Sequence, residues 1–326
     1  MSNEVKNSNK FISVVIPVFN EEENLPVLLE RLVKILEQYN QYEIVFVNDG
    51  STDSSESIIM EEGDKNKFIK LINLSRNFGH QTAITAGIAN ASGEAVIVMD
   101  ADLQDPPEVI PQFVDKWCEG YDTVYAIRTK RKENFFKKTA YFVFYRLLSK
   151  ISDVNIPLDS GDFSIMDRRI VDLMNQFPEK NCFVRGMRAW LGFKQTGLVY
   201  QRDQRFSGKP KYNFLSLLEL SYDGIISFSK KPLQVASYFG ICLTFLSFIG
   251  IIYLFLMKMY WGVAPRGWTS IIVIVIFIGG VQTMMIGIIG EYLARIYDEV
   301  KGRPYYLVRS SRNIEQKINN MKTNVK

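Results

Sequence analysis

The chain is poor in the residue types that build metal centres and disulfide frameworks. Its 326 residues hold one histidine, His80, and three cysteines, Cys118, Cys182 and Cys242. The cysteines are scattered, odd in number and lack ligand spacing. That excludes a zinc site and a disulfide scaffold and fits a reducing compartment. Two glycine signatures are also missing. No G-x-x-x-x-G-K-[ST] occurs, and no G-x-G-x-x-G follows the first apolar run, so neither a P-loop nor a dinucleotide fold is expected. A phosphate ligand would have to be held by a cation and side chains. The net charge of +4 is small and makes no case for nucleic acid. The polar first ten residues are not followed by an apolar h-region with a cleavage site, so no signal peptide is read and the bulk of the chain is expected in the cytosol.

What is present is unevenly spread. Apolar residues make up 47% of the chain, but two runs, Leu233–Met257 and Trp268–Ile289, contain no Asp, Glu, Lys or Arg. Each exceeds the roughly 20 residues needed to cross a bilayer. A buried core hairpin would satisfy the same count, but a water-soluble domain of this size does not need runs so long. The linker Lys258–Gly267 is short, which predicts an antiparallel hairpin with both flanks on one side. Lys230, Lys231, Arg295, Lys301, Arg303 and Arg309 lie on the flanking side, against Lys258 and Arg266 in the loop. The positive-inside bias therefore puts the large domain and the tail in the cytosol. The expected division is 1–212 as a soluble domain, 213–231 as an interfacial helix and linker, 232–292 as two spans and 293–326 as a cytosolic tail. Phe135–Lys150 and Phe214–Phe228 read as amphipathic segments, either at headgroup level or packed on the domain.

Before the spans, strand and helix patterns alternate. Ile12–Phe19, Tyr42–Val47, Ile69–Leu74, Ala95–Met99 and Thr123–Ile127 are apolar strands. Between them come amphipathic segments, the first opened by an Asn20/Glu23 capping box, with another started at Pro106-Pro107. Alternation with near-continuous apolar strands predicts an α/β fold whose mainly parallel sheet is covered on both faces.

In such sheets ligands bind beyond the carboxyl ends of the strands. Three of these ends are polar or acidic: Pro17-Val18-Phe19-Asn20-Glu21, Asn48-Asp49-Gly50-Ser51-Thr52-Asp53 and Asp100-Ala101-Asp102-Leu103-Gln104-Asp105. Turn chemistry alone does not require carboxylates at each. Mg²⁺ and Mn²⁺ are typically held by one or two carboxylates plus substrate phosphate oxygens. Asp100 and Asp102 after a buried strand offer that, and Gln104 adds a neutral oxygen; solvated turn residues are the plainer alternative.

These stretches, VVIPVFNEEENL, FVNDGSTDSS, LSRNFGHQTAITAG, MDADLQDPPE and SGDFSIMDRR, resemble the signature blocks of family 2 inverting glycosyltransferases. Within that family the chain resembles the polyprenyl-phosphate sugar transferases, the bactoprenol glucosyltransferases and dolichol-phosphate mannose synthases. The likeness extends over nearly the whole chain, including QRDQRFSGKPKY and both apolar runs. It implies a GT-A type nucleotide-sugar-binding domain with a C-terminal two-helix transmembrane hairpin, and a possible homo-oligomer.

Carried over by position, the resemblance implies that Pro17 and Glu21 line the nucleotide pocket and that Asp49 contacts base or ribose. Asp100, Asp102 and Gln104 would hold Mg²⁺ or Mn²⁺ against the donor diphosphate. Asp162 matches the acceptor-side carboxylate, as a base or as an orienting group. Arg128, Arg202, Arg205 and Lys209 would clamp the phosphates of donor and acceptor, with Gly208 as hinge of a lid. The implied reaction moves one sugar, glucose from UDP-glucose, to polyprenyl (undecaprenyl) phosphate with inversion. UDP-N-acetylglucosamine and GDP-mannose are alternative donors. A processive polysaccharide synthase is the rival enzyme, but Arg188-Ala189-Trp190 departs from its Q-x-x-R-W block; a catalytically silent nucleotide-sugar-binding protein is the rival of another class. His80, before a helix in Asn77-Phe78-Gly79-His80, reads as structural or nucleotide-adjacent.

Overall fold

The computed structural model describes residues 9–128, 160–177, 183–201, 231–261 and 267–314. The chain divides into two compact units. The first takes Met1–Tyr145, Val154–Asn213 and Pro304–Lys326, and the second takes Arg146–Asp153 and Phe214–Arg303.

The first unit is built on an eight-stranded sheet. Its strands are β1 (Phe11–Val18), β2 (Gln41–Asn48), β3 (Ile69–Leu74), β4 (Ala95–Val98), β5 (Thr123–Arg128), β6 (Ser160–Asp167), β7 (Gln195–Tyr200) and β8 (Val308–Arg312). They lie in the order β7-β5-β6-β4-β1-β2-β3-β8. The β1–β2, β1–β4, β2–β3 and β5–β7 pairs are parallel, and β6 and β8 run antiparallel to their neighbours. The five strands expected from the sequence are present, and the sheet is mainly parallel.

Helices cover both faces, which is why the central strands are apolar at most positions. On one face α1 (Leu25–Leu36) and α4 (Ile110–Cys118) bury Leu28, Leu32, Phe113 and Trp117 against Val14, Ile16, Ile44 and Phe46. On the other, α3 (His80–Asn90), α5 (Arg168–Met174) and α6 (Val184–Leu191) pack Ile84, Val171 and Met187 against Val15, Val45, Val47 and Val98. Each such side chain removed from water contributes about 1.5–3 kcal/mol. Gly87 lets α3 lie close on the sheet, since a Cβ there would come within 2.2 Å of Val15 Cγ1. Helix α2 (Ser55–Lys65) follows β2.

One local expectation is corrected. The Asn20/Glu23 capping box does not form: α1 starts at Leu25 after Asn24, and no side chain caps it. Asn20 instead takes the left-handed conformation, φ 54°, and its Oδ1 accepts from the Thr52 N–H at 2.8 Å. A cross-strand partner outcompetes the local cap. The stretch after the second apolar run carries structure of its own. The helix that precedes it continues to Val300, and Val308–Arg312 pairs with β3 as an edge strand.

The second unit contains α7 (Lys231–Trp261) and α8 (Trp268–Val300), which cover both apolar runs. Gly240 of α7 lies against Met285 of α8, where a Cβ would meet Cε at 3.3 Å. Among the described residues, one stretch, Phe277–Val300, is long and apolar enough to cross a membrane, at mean hydropathy 1.3. Tyr238–Gly250 is a shorter apolar stretch. The two segments read as interfacial, Phe135–Lys150 and Phe214–Phe228, lie outside the described residues.

Candidate active site

The acidic strand ends converge on one edge of the sheet. β1, β2 and β4 are parallel and deliver Asn20–Glu22, Asp49–Asp53 and Asp100–Asp105 to the same side. The antiparallel strand β6 delivers its beginning there. Its register pairs Val98 with Ser164, and continued by two residues it sets Asp162 opposite Asp100.

The first two loops are laced to each other. The backbone N–H groups of Asn20, Glu21 and Glu22 donate to Ser51 Oγ (3.1 Å), Ser55 Oγ (2.9 Å) and Asp53 Oδ2 (3.1 Å). In return Thr52 and Ser54 donate to Asn20 Oδ1 (2.8 Å) and Glu22 Oε2 (2.9 Å). Glu21 Oε2 accepts from Asn24 Nδ2 at 2.6 Å, and Pro17 is buried in β1. Asp49 is buried and turned toward the start of α3, where its two oxygens accept from the N–H groups of Phe78 (2.7 Å) and Gly79 (2.9 Å). Burial pushes its carboxyl up against the pull of these two bonds. Gly50, at φ 72°, lies so near the next loop that a Cβ would come within 2.7 Å of Asn77 N.

Asp100, Asp102 and Asp162 form the centre. Leu103, between Asp102 and Gln104, has φ 59°, a conformation costly for a branched apolar residue and often retained at functional turns. Asp102 Oδ1 accepts from the Gln104 N–H at 3.2 Å, and the Gln104 side chain is half-buried. Asp162 is 3% exposed. Arg185 of α6 holds it through one guanidinium edge, Nε and Nη2, and Gln81 Nε2 donates to Oδ2 at 3.3 Å while Gln81 Oε1 accepts from the Val184 N–H at 3.1 Å. His80 Nε2 lies 3.4 Å from Asp162 Oδ2 and 3.5 Å from Asp100 Oδ1.

The charges follow from this crowding. Burial raises Asp162, but Arg185 and His80 overwhelm that effect and hold its carboxyl well below the usual range. Burial pulls His80 down, yet the bond to Asp162 and the charges on Asp100 and Asp162 lift it to about 9. Asp100 goes the other way. Burial, with Asp105, Asp162 and Asp102 adding to it, pushes it to about 6 despite His80. Its Oδ1 is buried without a hydrogen-bond partner among the described residues. A carboxylate crowded by others and left with an unbonded oxygen suits a divalent cation. Among the described residues no three His, Cys, Asp or Glu side chains could hold an ion alone. Asp100 and Asp102 thus fit a metal whose remaining ligands come from substrate phosphate and water.

Residues 13–173 match glycosyl transferase family 2, and residues 231–296 match the GtrB C-terminal hairpin. An uncharacterized glycosyltransferase of Bacillus subtilis, YkcC, is 49% identical over 94% of this chain and 95% of its own. The SfII prophage-derived bactoprenol glucosyl transferase of Shigella flexneri is 41% identical over 92% of this chain and 98% of its own. The chain belongs to glycosyl transferase family 2. Among solved structures, glucosyl-3-phosphoglycerate synthase from Mycobacterium tuberculosis aligns more loosely, at TM-score 0.46 and 17% identity over 68% of this chain and 78% of its own.

As a family 2 enzyme with a GT-A fold, the chain carries its expected acidic residues at one edge, but several neighbours were not foreseen. His80, expected in a structural or nucleotide-adjacent role, stands between the two central carboxylates. Arg185, Gln81 and Arg188 carry no role in the sequence reading: Gln81 lies in the LSRNFGHQTAITAG block, and Arg188 enters only as a departure from Q-x-x-R-W. Arg188 is 2% exposed, its two terminal nitrogens have no hydrogen-bond partner among the described residues, and its guanidinium lies 5.4 Å from the centre of the Tyr125 ring. Burial lowers it to about 10, against the opposing charge of Asp162. Asp105 is fully buried and pairs with the Tyr200 hydroxyl. Arg128 ends β5 opposite Tyr200. Its side chain, and all of Arg202, Arg205 and Lys209, lie outside the described parts of the chain.

Proposed function

We propose that this glycosyltransferase moves one glucose from UDP-glucose to polyprenyl phosphate at the cytosolic face of a membrane, inverting the anomeric centre. The observation that carries the reading is Asp162 set opposite Asp100 at the edge where the laced β1 and β2 loops meet. Relatives named bactoprenol glucosyl transferase, alike over nearly the full length, support the sugar and the lipid. Exposed Phe239, Ile241, Phe245, Leu246, Phe248 and Ile249 on α7 support a bilayer around the hairpin.

In this reading the Asp49 turn and the β1 loop with Pro17 and Glu21 receive the nucleotide. Asp100 and Asp102, with Gln104, would hold Mg²⁺ or Mn²⁺. When bound, that ion neutralises the donor diphosphate and the nucleoside diphosphate that leaves. A phosphate oxygen of the lipid forms a bond to the anomeric carbon as the bond from that carbon to the diphosphate oxygen breaks in line. The lipid phosphate needs little help in losing a proton, because a phosphate monoester has a second pKa near 6 and is largely a dianion at neutral pH. Asp162 is accordingly an orienting carboxylate. Gripped by Arg185, it is a weak proton acceptor but a strong acceptor for a sugar hydroxyl. Arg128, Arg202, Arg205 and Lys209 are proposed to meet the anionic phosphates, and the chain is proposed to act as a membrane-bound homo-oligomer.

The test uses membranes expressing the wild type or Asp102→Asn, supplied with polyprenyl phosphate, Mg²⁺ and labelled UDP-glucose, UDP-N-acetylglucosamine or GDP-mannose. Lipid-borne label from UDP-glucose alone, lost with Asp102→Asn and with chelator, is the expected result. Label from another donor would replace the sugar. No lipid label from any donor, with folded protein, would overturn the single-sugar reading in favour of a polymer product or a silent binding role.

A further inference from the structure

Behind the Asp49 turn lies a row of buried amides that ends on β8, the last strand of the sheet in chain order. Asn48 is 1% exposed and Asn73 3%, on neighbouring strands of a sheet whose central positions are mostly apolar. A buried amide is costly unless its hydrogen bonds are made. The register puts Asn48 beside Asn73 across β2 and β3, and Asn73 beside Ser310 across β3 and β8. One polar rung therefore crosses three strands.

Its direction is set by chemistry. The Ser51 N–H can only donate, so Asn48 presents its Oδ1 to it, at 2.9 Å. Asn48 Nδ2 is then left facing Asn73 Oδ1, at 2.9 Å. That in turn aims Asn73 Nδ2 at Ser310 Oγ and at Glu56 Oε1, both at 3.0 Å. Glu56 is itself paired with Arg309 Nη2 at 2.5 Å. At the other end the Ser51 bond closes the turn that carries Asp49, whose N–H is tied to the Val18 carbonyl at 2.9 Å. Nothing in the local sequence of β2 requires a strand more than 250 residues away, yet the rung that Ser51 orients ends on one and is completed by it.

We propose that Ser310, with Arg309 through Glu56, is a positioning residue for the donor nucleotide, setting the Asn48–Ser51 turn through Asn73 and Asn48. This rests on the reading that the turn receives the nucleotide. β8 begins at Val308, after α8 ends at Val300, so the last member of the relay is carried by the chain just beyond the hairpin. Coupling of this kind is reciprocal: if seating β8 favours nucleotide, nucleotide favours the seated strand.

The test uses the full-length protein in detergent with Mg²⁺ and UDP, or GDP, as probe. Ser310→Ala is expected to weaken UDP binding about threefold to tenfold, the effect of one hydrogen bond lost from a network. It should raise the donor KM with kcat nearly unchanged. Ser310→Thr, which keeps the hydroxyl, should restore affinity. Arg312→Ala removes a pairing with Asp64 on the same strand but outside the relay, and should bind UDP as the wild type does. UDP should also slow amide exchange over 308–312. Unchanged affinity in Ser310→Ala, or equal weakening in Arg312→Ala, would overturn the proposal, the latter by making β8 a merely structural edge. A wild type that binds neither UDP nor GDP would overturn the nucleotide reading, and the relay's role with it.

Discussion

Arg185 holds Asp162 by both carboxylate oxygens, Nε to Oδ1 at 2.7 Å and Nη2 to Oδ2 at 2.8 Å. The fork geometry fixes the plane of a buried carboxylate as no single-point cation could. It also means that this carboxylate is already charge-compensated before any substrate arrives.

Arg185→Met should therefore cost both stability and turnover. Removing one partner of a buried pair costs about 3–5 kcal/mol, reduced here because Arg185 is partly exposed. A melting midpoint lowered by several degrees and a transfer rate lowered at least about tenfold are expected, with Arg185→Lys in between. Equal rates for wild type and Arg185→Met would refute the orienting role of the pair.

Asp100→Asn should separate the two properties. The wild-type carboxyl is held up to about 6 by burial and by its acidic neighbours, so its charge at neutral pH works against the fold. The amide lacks that charge. In chelator the variant should melt no lower than the wild type, and up to a few degrees higher, while sugar transfer falls by about a hundredfold or more. Calorimetry and the lipid-label assay check the two halves; a lower melting midpoint would show that the charge is compensated.

Arg188→Met tests the buried guanidinium. Exchanging a buried charge whose terminal nitrogens lack hydrogen-bond partners among the described residues for an apolar chain of similar length is expected to be neutral or to stabilise by about 1–4 kcal/mol. A marked loss of stability would mean that the guanidinium has an acceptor in the assembled enzyme.

Gly50→Ala should open the nucleotide turn. The new Cβ would sit 2.7 Å from Asn77 N and 2.8 Å from the Arg76 carbonyl carbon, at a φ of 72° that disfavours side chains. Backbone atoms cannot yield as a flexible side chain can, so the β2 and β3 loops must part. A stability loss of about 1–3 kcal/mol with weaker UDP binding is the expected outcome, read by thermal melting and calorimetry. A variant matching the wild type in both would show that the loops adjust at no cost.

Much of the molecule is legible before folding is considered. The strands β1 to β5 announce themselves as largely apolar runs because the sheet is covered on both faces, and the acidic ends of β1, β2 and β4 follow from the local chain. The hairpin is read from length and from missing charge. The arrangement around Asp162 was not legible. Its carboxylate meets Asp100 because β6 enters the sheet antiparallel, and strand direction is a property of pairing rather than of any window of sequence. Val308–Arg312 shows the same limit, since V-R-S-S-R has no strand pattern of its own and becomes a strand against β3. The sequence by itself determined which residues are available for chemistry and which segments shun water, because those follow from side-chain type and local period. Only the tertiary structure decided that His80, Arg185 and Gln81 surround Asp162 and that Ser310 reaches Asn48 through Asn73. Those contacts depend on hydrogen-bond geometry between segments that the chain brings together only when folded.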